Sequence, residues 1–285
     1  MIKPIVKWVG GKTQIIDKII AEFPTEINDY YEPFLGGGSV LFALLSSIKK
    51  GVIKVNGTIN AYDLNEPLIY MYKNIQSNYE ELYNQIQELI SEFNSYENKE
   101  SYYYLTRIKY NELNDKKGLL GSALFIFLNK TCFRGIYRMS KNGFNVPYGN
   151  YKNPEIINIT HLKEVNELIQ NVTFECYDFE KPLNLIKNKN HPQDFIYIDP
   201  PYAPQTKVSF VKYTEKGFTI DNHIQLFKLI HSLNNIKIMM SNSDVPLIRD
   251  NFHNDTYKIT YITCKRAIHS KTPNATAKEV IIKNY

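Results

Sequence analysis

The segment Asp194-Phe195-Ile196-Tyr197-Ile198-Asp199-Pro200-Pro201-Tyr202 constrains this chain more than any other. Its apolar run, closing at Ile198, has the length and content of a buried strand. The strand delivers a carboxylate, two prolines and an aromatic ring. Two consecutive prolines fix φ and remove two N–H donors, while their carbonyls stay free to accept. In an open α/β sheet ligands bind at the carboxyl ends of the strands. An acceptor side chain, a backbone acceptor and a flat ring at that place suit a planar group bearing an exocyclic NH2. Adenine and cytosine are such groups.

The rest of the chain supplies a sheet for that strand. The stretch before Glu32 predicts a first strand, Glu32 to Ser39 a glycine-rich turn, and Val40 to Leu45 a helix. Thr58 to Tyr62 predicts a second strand that ends at Asp63. Strand, glycine-rich turn, helix, strand and acid make one nucleotide-binding half of a doubly wound fold. Further strands are expected at Val172 to Cys176, Phe195 to Ile198 and Ile236 to Met240, with two more at the C-terminus. A short helix is expected over residues 13–22. From Glu66 to about Asn114 the chain is polar, Tyr-rich and helical in period, and Leu119 to Leu128 is an apolar helix candidate. Residues 130–150 alternate basic, aromatic and glycine residues and predict a hairpin or ordered loop. The fold class is therefore α/β: a doubly wound, Rossmann-like sheet over 1–65 and 166–285, interrupted by a mostly helical domain over 66–165. The stretch from Ala203 to Gly217 has few apolar anchors and is expected to be a mobile loop.

The 285 residues suffice for one large domain with an insertion. A net charge of +5 permits nucleic-acid binding without demanding it. The three cysteines, Cys132, Cys176 and Cys264, are far apart and form no C-x-x-C, so neither a metal site nor a disulfide framework follows. No apolar run approaches the ~20 residues that span a bilayer. The first twenty residues lack an apolar signal core, so an intracellular, non-secreted protein is expected.

Several constellations admit two readings. Glu32 to Ser39 can be a ligand-binding turn or only a tight strand–helix turn. Asp178 can meet a ligand or cap a helix, and so can Ser241-Asn242-Ser243-Asp244, which follows another strand end. Gly10-Gly11-Lys12-Thr13 invites a P-loop reading. That motif needs a glycine where Val6 stands, and no strand precedes it, so an NTPase is rejected. In residues 130–150 the cations Lys130, Arg134, Arg138 and Lys141 lie among Phe133, Tyr137, Phe144 and Tyr148. Such residues contact phosphates or guanine edges, and aromatics can wedge into a duplex.

Taken in order, these motifs resemble the DNA adenine-N6 methyltransferases of the Dam type, the D12 class. Lys7-Trp8-Val9-Gly10-Gly11-Lys12 is close to that family's K-W-A-G-G-K. Glu32-Pro33-Phe34-Leu35-Gly36-Gly37-Gly38-Ser39 is close to its E-P-F-x-G-G/A-G-S, and Asp63-Leu64-Asn65 to its D-x-N. The segment from Asn129 to Gly149 is similar to its DNA-recognition hairpin, Asp199 to Tyr202 to its catalytic motif, and Glu279 to Tyr285 to its last strand. The resemblance implies S-adenosylmethionine as cofactor, no metal, and double-stranded DNA as partner. Trp8, Lys12, Glu32, Phe34, Gly36, Gly38, Asp63, Asp178 and Asp199 are the cofactor candidates it implies. Asp199, Pro200 and Tyr202 are the catalytic ones. Lys7, Lys130, Phe133, Arg134, Ile136, Arg138 and Pro147 are the DNA-contact candidates, with Arg138 reading a guanine and Ile136 and Pro147 touching a thymine methyl. One departure is Arg134, where GATC enzymes usually carry Asn; a four-base palindrome with central A-T, GATC or CATG, is expected. A methyltransferase acting on an amino group of RNA or protein, or a DNA-binding protein with a degenerate cofactor site, are the rivals. Any restriction endonuclease must be a separate chain.

Overall fold

The computed structural model describes residues 2–203, 217–253, 255–265 and 276–285. In chain order the elements are α1 (Ile16–Ala21), β1 (Glu26–Ile27), β2 (Tyr30–Glu32), α2 (Ser39–Lys49), β3 (Lys54–Val55), β4 (Ile59–Asp63), α3 (Glu66–Ser95), α4 (Lys99–Glu112) and α5 (Leu119–Thr131). A 3-10 turn, Phe133–Gly135, leads to β5 (Met139–Ser140) and β6 (Gly143–Phe144), then α6 (Ile159–Ile169), β7 (Val172–Cys176), α7 (Glu180–Lys189) and β8 (Phe195–Ile198). Last come α8 (Ile220–Ser232), β9 (Lys237–Ser243), α9 (Pro246–Arg249), β10 (Lys258–Lys265) and β11 (Thr276–Lys283). The architecture is mixed α/β, with helical segments between the strands. It divides into two compact units: Met1–Lys12, Gly36–Lys49 and Asn65–Cys176 form the first, and Thr13–Leu35, Lys50–Leu64 and Tyr177–Tyr285 the second.

In the second unit six strands are hydrogen-bonded in the order β10-β11-β9-β8-β2-β4. β4, β2, β8 and β9 are parallel neighbours, and β11 runs antiparallel to both β9 and β10. β8 is flanked on both sides, and all four of its residues are fully buried. A parallel strand covered on both faces is apolar throughout instead of alternating, as its sequence is. Its entry is held by Asp194, which is also fully buried. The Asp194 carboxylate accepts the Asn28 side-chain amide at 2.7 Å, the Asp29 N–H at 3.1 Å and the Lys189 ammonium at 2.9 Å. α8 buries Leu226, Phe227 and Ile230, and a capping box of Thr219 and Asn222 closes its first turn.

The first unit is mostly helical. α3 begins at an Asn65 cap, whose Oδ1 accepts the Leu68 N–H at 3.1 Å, and it is broken at Asn78, where φ is −158° and ψ 63°. α5 is buried nearly all round, from Ala123 to Leu128, and packs along α3. This explains an apolar helix without an amphipathic period. The expected insertion, residues 66–165, lies inside this unit, which also takes in α2 and β7. Residues 130–150 contain the short hairpin β5–β6, closed at its base by a bridge between Cys132 and Tyr148.

The loop expected from Ala203 to Gly217 lies, apart from its two ends, outside the described residues, and so does part of the C-terminal hairpin. Among the described residues no helix is long and apolar enough to cross a membrane.

His223, on α8, is buried to 1% and sits edge-on to Phe218 at 4.7 Å. Burial pushes its imidazole down from 6.5 to about 4. The unfolded chain therefore takes up a proton that the fold refuses between those values. Stability should fall as pH drops from about 6.5 towards 4, and His223→Leu should flatten that part of a denaturant-midpoint profile. An unchanged slope in the variant would show that His223 does not set it.

Candidate functional site

The parallel strands of the second unit deliver three acids at one end. Asp63 closes β4, Glu32 closes β2 and Asp199 follows β8. These three strands are consecutive neighbours in the sheet. β2 is also where strand order turns from one side to the other, with β4 on one flank and β8 on the other. Glu32 is 2% exposed and accepts the Tyr30 hydroxyl at 2.7 Å. The turn after β2 is tied to β4 by the Leu35 N–H donating to the Tyr62 carbonyl at 2.8 Å. A row of carboxylates at adjacent strand ends accepts hydroxyl donors and favours a cation.

The turn after β8 is clasped from the neighbouring strands. Pro200 and Ala203 are buried, while Asp199 and Tyr202 are half-buried. The Asn242 Oδ1, near the end of β9, accepts the Ala203 N–H at 3.1 Å. The next residue, Ser243, donates its hydroxyl to the Ala203 carbonyl at 2.6 Å. The Tyr202 hydroxyl donates to Glu279 Oε2 at 2.9 Å, and Glu279 stands opposite Ser243 in the β11–β9 ladder. Burial, with the negative charges of Asp199 and Glu279, raises the Tyr202 phenol well above its ordinary value. Of the two readings of Ser241 to Asp244, helix capping is not the one observed. The N-cap of α9 is Val245 and makes no side-chain cap, and Asp244 pairs with Arg249 at 2.7 Å.

Phe34 belongs to an aromatic cluster of the second unit. It stacks on Phe179 at 5.6 Å and meets Phe218 edge-on at 5.7 Å. Asp178 accepts the Glu180 N–H at 3.0 Å from one residue before the N-cap of α7, which is Phe179 and makes no side-chain cap.

The remaining cofactor candidates lie in the first unit. Lys12 is 4% exposed; its ammonium donates to the Gly10 carbonyl at 2.6 Å and its N–H to the Ser39 hydroxyl at 3.2 Å. Trp8 lies on the glycine turn. A Cβ at Gly36 (φ 50°) would stand 3.0 Å from its ring, and one at Gly38 (φ 75°) 3.1 Å from the Tyr72 hydroxyl. Both glycines are thus required by backbone conformation and by side chains of this chain. Tyr72 in turn donates to the Gly37 carbonyl at 2.7 Å. The only Trp of the chain also stacks on Tyr137, at 5.8 Å and 24°.

The DNA-contact candidates gather around Asn129, at the end of α5. Its Oδ1 accepts the Lys7 N–H at 2.8 Å, and its Nδ2 donates to the carbonyls of Lys7 at 2.9 Å and Gly135 at 3.2 Å. One buried amide therefore joins Lys7 to the 133–138 segment. The Lys7 ammonium lies 4.1 Å over the Tyr151 ring. Phe133 is 45% exposed, with the Arg134 guanidinium 5.1 Å from its ring. Arg138 and Pro147 are exposed and Ile136 is half-buried. Lys130 is different: burial and the Lys7 charge lower its ammonium, and it lines a cavity of about 390 Å3 with Ile5, Glu155, Asn158, His161 and Glu164. Sequence reasoning missed Glu279, a lone acid in an apolar strand; only the β11–β9 register shows what it meets.

A sheet that ends in neighbouring carboxylates, with an Asp-Pro-Pro-Tyr turn clasped beside them, presents a row of hydrogen-bond acceptors at the carboxyl ends of parallel strands, the place where α/β enzymes bind their ligands. Comparison with known proteins gives the family. The family model for D12 class N6 adenine-specific DNA methyltransferases matches residues 8–268. The chain is 38% identical to the type II methyltransferase M.MjaIII of Methanocaldococcus jannaschii, over 100% of this chain and 99% of that one. It is 32% identical to M1.LlaDCHI of Lactococcus lactis subsp. cremoris, covering 100% and 96%. It is 30% identical to a DNA adenine methylase of Haemophilus influenzae, covering 90% and 85%. The chain belongs to the D12 class of N6 adenine-specific DNA methyltransferases, and its cofactor is S-adenosylmethionine.

Arg134 has a φ of 57° and ψ of 14°, the left-handed region that Asn tolerates better than Arg. Arg134→Asn should therefore stabilise the fold by roughly 0.5 kcal/mol, measured as a higher denaturant midpoint. A lower midpoint would show that the guanidinium contacts outweigh the backbone strain.

Proposed function

We propose that this enzyme methylates N6 of an adenine turned out of duplex DNA, within a short palindrome with central A-T, GATC or CATG. The observation that carries the chemistry is the clasped turn after β8, with Asp199 at its head and Tyr202 tied to Glu279. The N6 lone pair of adenine is delocalised into the ring, so N6 is a weak nucleophile. The Asp199 carboxylate and the Pro200 carbonyl each accept one N6–H, which returns the lone pair to nitrogen. Tyr202 stacks on the base face, a contact worth ~1–3 kcal/mol. S-adenosylmethionine supplies a methyl group on a positively charged sulfur. As the N6–C bond formed, the sulfonium S–CH3 bond would break and the cofactor would leave as its neutral thioether; N6 would carry the positive charge, which Asp199 would offset until the proton passed from N6 to the carboxylate and on to water. Reaching the adenine requires base flipping.

The donor set suits that cofactor. Asp63 would accept its ribose hydroxyls, and Glu32 and Asp199 would favour its cationic part. The buried ammonium of Lys12, with Trp8, suits its methionine carboxylate. Phe34 and Asp178 would take its adenine, and Gly36 and Gly38 shape the glycine turn that the family motif carries. We read the sheet as doubly wound and Rossmann-like, with 1–65 and 166–285 as the catalytic domain and 66–165 as the target-recognition domain. Arg138 reads a guanine, Lys7 the first base pair, Ile136 and Pro147 a thymine methyl, and Phe133 wedges into the duplex. Lys130 and Arg134 contact the backbone. Two relatives are type II methyltransferases by name, which favours a restriction endonuclease partner on a separate chain.

Incubation with unmethylated genomic DNA and S-adenosylmethionine, followed by single-molecule sequencing, should reveal N6-methyladenine at one such palindrome. Asp199→Ala should lower turnover by at least 100-fold while the thermal midpoint stays near that of the parent. Methylation spread over unrelated sequences, or substantial turnover by the variant, would overturn the respective part of this reading.

A further inference from the structure

Arg138 ends a chain of hydrogen bonds that begins on α4. That helix presents Tyr103, Arg107 and Asn111 four residues apart, on one stripe. The Tyr103 hydroxyl donates to the Val146 carbonyl at 2.8 Å, and Arg107 Nη1 donates to the same oxygen at 3.2 Å. Asn111 engages both backbone groups of Phe144: its Nδ2 donates to the carbonyl at 3.0 Å and its Oδ1 accepts the N–H at 2.8 Å. The residues on either side of Asn145 are thus fixed to a helix.

Asn145 in turn holds Arg138. Arg138 Nε donates to Asn145 Oδ1 at 2.7 Å and Nη2 to the Asn145 carbonyl at 3.2 Å. The Asn145 N–H donates to the Arg138 carbonyl at 3.2 Å. A guanidinium has five N–H donors in a planar fork. Two are committed here, and they leave the edge formed by Nη1 and the second Nη2 hydrogen. That edge matches guanine O6 and N7.

We infer that Asn145 is a positioning residue for sequence choice, presetting the Arg138 fork through anchors on α4. The inference rests on the reading of Arg138 as a guanine contact. An untethered arginine facing a wrong base can swing to a phosphate and recover its hydrogen bonds there. A tethered one cannot, so the mismatch keeps its full penalty. The tether also removes side-chain freedom before DNA arrives.

The test uses the full-length enzyme and duplexes carrying its methylated site as mapped by sequencing. Each guanine is replaced in turn by 7-deazaguanine or adenine, and the ratio of kcat/KM on parent and altered duplex is the readout. Arg138→Leu should collapse that ratio at one guanine. Asn145→Leu should lower it at the same guanine by about tenfold. Asn145→Asp keeps an acceptor for Nε and should retain the ratio, and Asn145→Leu added to Arg138→Leu should lower it no further. If Arg138→Leu leaves every ratio intact, the guanine reading of Arg138 fails. If Arg138→Leu collapses the ratio while Asn145→Leu preserves it, the positioning role fails alone. A drop in the thermal midpoint with equal loss on all duplexes would likewise assign Asn145 a purely structural part.

Discussion

The register of β8 against β2 is the constraint on which the acid row depends. Tyr30 pairs with Phe195 and Tyr31 with Ile196, which places Glu32 beside Tyr197 and sets Asp199 beyond it. In a half-exposed strand, a slip of one residue turns apolar side chains to water, and that penalty fixes register. β8 is buried on both faces and apolar throughout, so this safeguard is weak. The buried Asp194 supplies another. Its carboxylate holds the Asn28 amide and the Asp29 N–H at the entry to β2, with Lys189 as counter-ion. A slipped strand would leave that carboxylate buried without these partners, at a cost of roughly 3 kcal/mol or more. One ion pair at the amino end of the strand therefore sets where Asp199 emerges at its carboxyl end.

In the first unit, side-chain amides play the part that strands play in the second. Asn129 joins Lys7 to Gly135, Asn111 takes both polar groups of Phe144, and Asn166 donates to the Ile75 carbonyl at 2.7 Å in α3. Each amide offers donors and an acceptor on one rigid plane, so it can terminate irregular backbone that no ladder reaches. β5 and β6 are two residues each and could not hold a hairpin alone. The hairpin's shape comes instead from α4 and from the end of α5.

The parallel strands were legible because Phe195 to Ile198 is an apolar run of strand length, and Ile236 to Met240 is one broken only by Lys237, each bounded by polar residues. The glycine turn and the acids at 32, 63 and 199 were legible because turn chemistry and strand ends are local. What the sequence could not show are contacts between residues far apart in the chain. Glu279 meets Tyr202 across 77 positions, and Asn242 meets Ala203 across 39. A single acid in an apolar strand carries no local signal of its partner. The purpose of the glycines was legible only in part. Their positive φ was foreseeable, but the filling of the space beside them by Trp8 and Tyr72 was not. The α4 stripe was hidden for a related reason: Tyr103, Arg107 and Asn111 lie in a stretch whose sequence shows only that it is polar, Tyr-rich and helical in period, and their partners stand 33 to 43 positions away.

The state of Tyr202 bears on how the proposed reaction can lose its proton. Burial, Asp199 and Glu279 all favour the neutral phenol, which donates to Glu279. A phenol held that way is no base at neutral pH, so Tyr202 is not the proton acceptor of the proposed reaction. Glu279 is occupied by that same hydroxyl. In the reading proposed above, Asp199 accepts an N6–H from the start, and an N6 that has gained a methyl group and a positive charge is a strong acid. In that reading the proton passes downhill to the Asp199 carboxylate and on to water, and the step needs no residue with a tuned basicity. What it needs is geometry. The clasp on Ala203 and the tie from Tyr202 to Glu279 fix the far end of a turn whose near end continues β8 and which two prolines already stiffen, so in the proposed reaction the acceptors stand in place before the base arrives.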